Sequence, residues 1–265
     1  MEIIMKDLSV RSLKDYQKLN HVDYVFKDSA ITFCNGLSGA LIKDLLFKKK
    51  NPLNGYLLVN ECGHASDIGY LGNEVLKEFE MKNALDEMKY LNEIYDLEII
   101  DVVDKGLKAL MMVGLSQEFL MRDILSMSRM EQKKVWLACV LFYNPKVIIV
   151  DYYFKGFNYK DKESLKKVFK RLKSKYKKNI IIFDDENEDY LDVVDNYVVF
   201  RNGKIVLECL GNDCYNEKLY RYMKMPKIIE FVKMARKNGH ELLDYVDVKE
   251  LIKAIYRDVE AKWDI

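Results

Sequence analysis

The residues best suited to chemistry form a short loop near the beginning of the chain. A β-prone run, Ser29–Cys34, leads into the small-residue loop Asn35–Gly39, and apolar residues at helical spacing follow from Ala40 to Phe47. A strand, a loop of small residues and a helix form the local arrangement that binds phosphate, because the backbone N–H groups at a helix N-terminus attract anions. The loop is therefore a candidate phosphate-binding turn.

The elements that would position this loop are predicted from apolar patterns further along the chain. Val147–Val150 and Ile180–Phe183 are short β-branched or apolar runs, as is typical of buried parallel strands. The apolar run Val135–Tyr143 predicts a buried helix, and Asp161–Lys178 predicts a basic amphipathic helix whose polar face we expect to be solvated. An Asn-Gly turn at 202–203 predicts a hairpin. Alternation of helices and strands predicts an α/β fold with a mostly parallel sheet.

The segment between the loop and these strands has a strong charge bias. Residues Glu74–Gln132 are predicted to be mostly helical, and Glu74–Asp101 contains nine acidic residues against three basic ones. For most of these residues a solvated helix face explains the bias. The alternative is an acidic surface that docks a basic helix of a partner protein.

Composition excludes several classes of protein. The chain has 265 residues, 49% of them hydrophobic, and a net charge of +1, so it can bury a core but has no overall bias towards nucleic acid. The longest uncharged apolar run, Val135–Tyr143, is too short to cross a bilayer, and the charged N-terminus does not resemble a signal peptide. Because the five cysteines and three histidines are scattered, we predict no metal site and a reduced, cytoplasmic protein. Peripheral attachment to the inner face of the membrane is the alternative location.

In this order the segments resemble an ABC-transporter ATPase domain. Val135–Asp151 is similar to the helix after the family's signature motif followed by its Walker B strand, and Asn51–Asn60 is similar to its Pro-x-x-Gly turn and strand. Met225–Ile229, Ala235–Gly239 and Val248–Leu251 resemble the C-terminal extension of the ATPase (A) components of energy-coupling-factor transporters. The resemblance implies a P-loop NTPase-like ABC ATPase fold.

That resemblance also implies a division of the chain. We expect an ABC ATPase-like domain over residues 1–215, with a helical subdomain at about 74–134. A C-terminal helical extension is expected over residues 216–265 and is predicted to form a dimer contact.

The resemblance implies a nucleotide site, but the residues at its motif positions differ from the family's. Gly39 stands where the family has the phosphate-binding lysine, and Ala40 stands where it has the magnesium-binding hydroxyl. Lys43 lies one helical turn further on and is interpreted as a surface lysine. The residues expected to form a vestigial nucleotide site are Asn35, Gly36, Ser38, Gly39 and Asp151.

The other motif positions depart from the family in the same direction. Arg129 and Met130 replace the signature glycines after Ser128, and the charged Glu131 replaces a neutral glutamine. Tyr152 stands at the catalytic glutamate, and an ordinary tyrosine pKa near 10 makes it a poor base at neutral pH. The remaining departures are Ser12 at the adenine-stacking aromatic, Asn73 at the Q-loop glutamine, Asn158 at the D-loop aspartate and Asp184 at the switch histidine.

These departures lead to the hypothesis of a pseudo-ATPase with no catalytic residues and no expected cofactor, Mg-ATP being the alternative. It would be a non-catalytic subunit or regulator of an energy-coupling-factor uptake transporter. Expected partners are a second copy or an ABC ATPase-like subunit, and a membrane T component docked near Asn73 and the acidic helices. A soluble homodimeric interaction protein and an ATP-binding subunit with residual activity are the two alternatives.

Overall fold

The computed structural model describes residues 3–11, 18–59 and 64–263, with side chains as far as Arg257. Within this part of the chain there are nine strands and seven α-helices, joined by turns and short 3-10 helices. The strands are β1 (Ile3–Arg11), β2 (Lys18–Phe26), β3 (Ile31–Asn35), β4 (Asn54–Val59), β5 (Ile68–Gly72), β6 (Val147–Asp151), β7 (Asn179–Phe183), β8 (Asn196–Arg201) and β9 (Lys204–Leu210). The helices are α1 (Gly39–Leu46), α2 (Ala84–Ile94), α3 (Val102–Met112), α4 (Arg129–Tyr143), α5 (Tyr159–Tyr176), α6 (Lys227–Lys237) and α7 (Val248–Trp263).

The central sheet has six strands in the order β5-β6-β7-β3-β8-β9. Strands β5, β6, β7, β3 and β8 are parallel, and β9 returns antiparallel to β8 through the Asn202-Gly203 turn. The predicted α/β architecture with a mostly parallel sheet is confirmed. Because β3 and β6 run in the same direction, their carboxyl ends lie at one edge of the sheet, where the candidate loop begins.

The apolar runs of the sheet divide their side chains between two cores. On β6, Ile148 and Val150 pack with the helices α4 and α5, whereas Val147 and Ile149 pack with α1 and the second sheet. All four are fully buried. Alternate residues of a strand point to opposite faces, so a continuous apolar run is required when both faces are covered.

A second, antiparallel sheet covers the α1 face, with the order β2-β1-β4. Strand β2 was not predicted from the sequence. Its buried residues Leu19 and Val22 are three apart, and His21 between them has a positive φ of 51°. The pairing of β1 with β2 shifts register at two points, so the two-residue alternation that identifies a strand is interrupted.

The polar face of the basic helix α5 was predicted to be solvated, but three of its lysines are paired with carboxylates. Lys162 lies 2.5 Å from Asp189, Lys166 lies 2.7 Å from Asp192, and Lys173 lies 2.9 Å from Asp195. The carboxylates all belong to the segment between β7 and β8, which packs beside the helix. The interpretation is corrected for these three lysines, since their charges bind the segment to the helix.

No helix in the described part of the chain has the length and apolar content needed to cross a membrane.

Candidate functional site

The candidate loop follows β3 and ends at the first residue of α1. Gly36 has a left-handed φ of 81°, and a Cβ there would collide with the carbonyl oxygen of Phe200. Glycine is therefore required at this position. Ser38 is the N-cap residue of α1, and its side chain makes no capping hydrogen bond. The backbone N–H groups of the first helical turn are therefore available to an acceptor from elsewhere in the molecule.

That acceptor is the carboxylate of Asp151, at the end of β6. The Gly39 N–H donates to Asp151 Oδ1 at 3.1 Å, and Ala40 lies beside the same carboxylate. A Cβ placed on Gly39 would lie 2.8–2.9 Å from three atoms of Asp151, whose exposed fraction is 8%. The Asp151 side chain therefore leaves no room for a Cβ at position 39.

The opposite oxygen of Asp151 is bound by Tyr70, on β5. The Tyr70 hydroxyl donates to Asp151 Oδ2 at 2.7 Å. Burial raises the pKa of Asp151, and the hydrogen bonds from Tyr70 and Gly39 partly oppose that rise. Sequence reasoning did not identify Tyr70, because only the parallel pairing of β5 with β6 places its side chain beside Asp151.

The interpretation of Lys43 as a surface lysine is wrong. Its side chain is 18% exposed, and its ammonium lies 2.7 and 2.8 Å from the two oxygens of Glu78. The same ammonium lies 3.9 Å from the centroid of the Tyr70 ring. Lys43 therefore reaches the candidate site, but its charge is paired with Glu78. The pairing joins residues 35 positions apart, so the periodicity of α1 contained no signal for it.

Asn35 connects the loop to the segment after β7. Its side-chain amide donates to the carbonyl oxygens of Asp184 and Asp185, both at 3.1 Å. Its own oxygen accepts from Arg201 at 2.7 Å, and Arg201 also donates to the carbonyl oxygen of Tyr222. Arg201 was not identified from the sequence. These bonds use both polar groups of the Asn35 side chain within the protein.

Asp184 and Tyr152 lie close to this connection. Burial raises the pKa of Asp184 to about 6, although its carboxylate accepts from the Asp185 N–H at 2.8 Å and from the Tyr190 hydroxyl at 3.2 Å. Tyr152 has a positive φ of 50° and lies near the Asp185 side chain. Burial raises the pKa of Tyr152 further above its ordinary value, which moves it away from the range of a base at neutral pH.

The signature-like residues begin helix α4. The Ser128 hydroxyl accepts from the Glu131 N–H at 3.3 Å, while the Glu131 carboxylate accepts from the Ser128 N–H at 2.8 Å. This reciprocal pair is a capping box. Its hydrogen bonds lower the pKa of Glu131. Arg129 is exposed and donates to the Asn73 carbonyl at 3.2 Å, and Met130 contacts Gly156.

The remaining predicted positions are separate from the Asp151 contacts. Asn158 is the N-cap residue of α5, where its side chain accepts from the Asp161 N–H at 2.9 Å. Ser12 lies outside the described residues. The structure thus brings Gly39, Ala40 and Asp151 together and joins Asn35 to Asp184, whereas Ser128, Glu131 and Asn158 serve as helix caps.

Two depressions adjoin these residues. One, of about 380 Å³, lies against Ala40, Tyr70 and Asp151 and contains charges of both signs. The other, of about 290 Å³, is called the acidic groove below, and it lies beside α2 and β5. Its lining has three carboxylates against two lysines, together with aromatic rings that include Tyr90 and Trp136. The carboxylates are Glu78, Glu80 and Glu87, and the lysines are Lys43 and Lys49.

Several curated proteins are similar to this chain in sequence. The chain is 24% identical to the energy-coupling factor transporter ATP-binding protein EcfA3 of Oenococcus oeni, over 61% of this chain and 57% of the relative. It is 27% identical to EcfA2 of Clostridium acetobutylicum, over 92% of this chain and 91% of the relative. The chain spans between 57% and 59% of the length of the first curated relatives that it matches. No protein-family model matches it.

Solved structures share the fold at low sequence identity. The structure of cbiO1 from Clostridium perfringens, described as part of the ABC transporter complex cbiONQ, matches with a TM-score of 0.68 and 16% identity, over 87% of this chain and 98% of the other. The dimeric ATP-binding cassette MJ0796, bound to ADP and phosphate, matches with a TM-score of 0.67 and 14% identity, over 78% of this chain and 98% of the other. The chain therefore has the fold of an ABC transporter ATPase domain and resembles the ATP-binding proteins of energy-coupling factor transporters.

Proposed function

We propose that this protein is an ABC ATPase-like subunit or regulator of an energy-coupling-factor uptake transporter and that it does not hydrolyse ATP. The observation that carries the proposal is the hydrogen bond from the Gly39 N–H, one of the otherwise uncapped N–H groups of the first turn of α1, to the Asp151 carboxylate. These N–H groups form the anion-binding end of α1. An anion that belongs to the chain therefore occupies the position suited to a phosphate.

The residues present do not fit Mg-ATP. A triphosphate at the start of α1 would have to displace the Asp151 carboxylate from the Gly39 N–H group to which it is bonded. The loop has glycine at position 39 and alanine at position 40, so neither position supplies an ammonium or a hydroxyl group. Lys43 is paired with Glu78. No nucleotide or metal cofactor is therefore proposed.

The neighbouring titratable groups also support an inactive site. Tyr152, at the position of the family's catalytic glutamate, has a pKa raised by burial. Asp184, at the position of the switch histidine, adds a second acidic group near the loop. Neither residue can replace the charge-neutralising groups that phosphoryl transfer requires.

The acidic groove supports the association with a transporter. Two of its carboxylates have internal roles, since Glu78 binds Lys43 and Glu87 accepts from the N–H groups of Glu80 and Met81. Glu80 is exposed at the rim. Aromatic walls with an acidic rim suit a basic helical segment of a membrane component, which electrostatic attraction would orient. Several relatives are named as ATP-binding proteins of energy-coupling factor transporters.

A soluble homodimer is a second candidate because the C-terminal helices expose apolar residues at helical spacing. On α7, Val248, Ile252 and Tyr256 are four residues apart and are 48%, 47% and 67% exposed. On α6, Phe231 and Met234 are also exposed. Such stripes are suited to a contact with a second copy or with an ABC ATPase-like subunit.

Titration of the full chain with Mg-ATP tests the proposal. We expect neither saturable heat up to about 1 mM ATP, a concentration that would detect weak binding, nor phosphate release above the blank. Asp151→Ala should free the α1 N–H groups and produce measurable binding of inorganic phosphate. Asp185→Ala is the matched control, since it removes a nearby exposed carboxylate without freeing these groups. Micromolar affinity for ATP or turnover by the unaltered chain would contradict the proposal.

A further inference from the structure

A buried lysine on α4 lies outside the contacts described so far. Lys133 is fully buried, and its ammonium donates to the carbonyl oxygens of Tyr153 at 2.7 Å and Lys155 at 2.9 Å. Its third hydrogen bond goes to the side-chain oxygen of Asn73 at 3.0 Å. We call these four residues the Lys133 cluster. Three donors meet three acceptors, which uses the full hydrogen-bonding capacity of the ammonium.

The acceptors are neutral, so the ammonium lacks an opposite charge within its own cluster. Burial, together with smaller contributions from the nearby cations Arg129 and Lys155, lowers the pKa of Lys133 to about 8. The Tyr153 and Phe157 rings lie 5.4 and 5.5 Å from the ammonium and provide weaker attraction. A fully buried lysine is rare unless it is paired, because removing its charge from water is costly. Packing alone would not explain a lysine here, because an apolar side chain of similar volume would fill the space without the cost of burying a charge.

The Lys133 ammonium joins two loops of the sheet to helix α4. Asn73 directly follows β5, whereas Tyr153 and Lys155 follow β6. Lys133 belongs to α4, which packs on one face of the sheet. Parallel α/β sheets bind their ligands at the carboxyl edge, and loops at that edge are usually the mobile parts of the fold. One side chain therefore connects two loops of the ligand-binding edge to the helical layer.

A second contact strengthens this connection. The Tyr153 hydroxyl donates to the Lys133 carbonyl at 2.5 Å, so the two residues bond in both directions. Tyr153 is itself fully buried. The segment after β6 is thereby held at a side chain and at two backbone carbonyls.

We infer that Lys133 is a positioning residue whose ammonium holds the loops after β5 and β6 in one arrangement. The inference does not depend on whether the α1 loop binds nucleotide. It predicts that these loops are ordered in the protein alone. The order is lost when the ammonium is removed, although the side-chain volume is kept.

Hydrogen exchange of the full chain tests this inference. Lys133→Met should accelerate exchange about tenfold or more in residues 72–75 and 152–157, while β3 and β7 keep their protection. Lys134→Met is the matched control, because the neighbouring Lys134 pairs with Asp161 and makes no bond to either loop. Unchanged exchange in the two loops, or a uniform increase over the whole chain, would overturn the inference.

A second pair of variants keeps Lys133 in place in case Lys133→Met does not fold. Asn73→Leu removes one acceptor and should accelerate exchange in residues 72–75. Asn73→Asp adds a carboxylate beside the ammonium and should slow exchange there and raise the pKa of Lys133. If Lys133 merely filled space, exchange in residues 72–75 would be the same in these two variants. Equal exchange in both would therefore also overturn the inference.

Discussion

At the scale of single residues, the candidate site is notable for charged groups that bond within the protein. Asp151 accepts from Tyr70 and from the start of α1, and Lys43 pairs with Glu78. Asp184 differs because its partly buried carboxylate has only neutral hydrogen-bond donors described as its partners. Ionisation of the Asp184 carboxyl therefore lowers the stability of the folded protein.

Asp184→Asn should stabilise the protein at neutral and alkaline pH. The pKa of Asp184 is about 6 in the folded protein and 3.8 in the reference state, so the folded state binds the proton more tightly. Stability is therefore lost as the pH rises from about 4 through about 6. The amide removes this loss while keeping an acceptor for the Asp185 N–H. We expect the free energy of unfolding to rise by about 2 kcal/mol at pH 8 and by little at pH 4, as measured by urea denaturation.

Asp185→Asn is the control for this prediction. Asp185 is the adjacent carboxylate but is exposed, so its replacement should leave the pH dependence close to that of the unaltered protein. An Asp184→Asn variant whose stability relative to the parent did not change between pH 4 and pH 8 would contradict the assigned burial effect.

At the scale of elements, helix α4 begins with residues that resemble a nucleotide-contacting motif but function here as a cap. The hydroxyl of Ser128 and the carboxylate of Glu131 bond to each other's backbone N–H groups. The same helix ends at Asn144, whose left-handed φ of 58° and following proline terminate it. Both ends of α4 are therefore determined by local chemistry.

Ser128→Ala should lower the free energy of unfolding by about 1 kcal/mol, because it leaves an N–H group of the first turn without its acceptor. Chemical denaturation measures the change. Ser116→Ala is the matched control, since Ser116 occupies an N-cap position without a side-chain capping bond. Equal losses in the two variants would show that the capping box adds nothing to stability.

At the scale of the whole molecule, the sheet separates two different edges. The acidic groove lies next to β5, while β9 forms the opposite edge. Glu80 is exposed at the groove, and Glu208 is exposed on β9. A basic partner attracted to the groove would thus be sensitive to charge at the first position and insensitive to charge at the second.

Glu80→Lys should reduce capture of a membrane partner about tenfold when the tagged full chain is incubated with solubilised membranes, because like charges then meet at the rim. Glu208→Lys should retain capture at the level of the unaltered chain. Identification of the captured protein by mass spectrometry completes the measurement. If the unaltered chain retains no membrane protein and sediments as a dimer, the homodimeric alternative is favoured.

Much of the fold could be predicted because its signals are local. The β-branched run of β6, the Asn144-Pro145 stop and the Asn202-Gly203 turn each depend on residues that are adjacent in the chain. Strand β2 could not be predicted, because bulges interrupt its alternation. That Gly39, Ala40 and Tyr152 depart from the family's motifs stays a prediction, made from the sequence through the resemblance to a known family.

Which distant side chains these residues contact was decided only by the tertiary structure. Gly39 and Asp151 are 112 positions apart, and Lys43 and Glu78 are 35 apart. Asn73 is 60 positions from Lys133. By itself, the sequence determined the residue types and the elements, since propensity and periodicity act between near neighbours. The folded structure decided which charges meet, because the pairing of parallel strands and the packing of α4 bring distant side chains to one edge of the sheet.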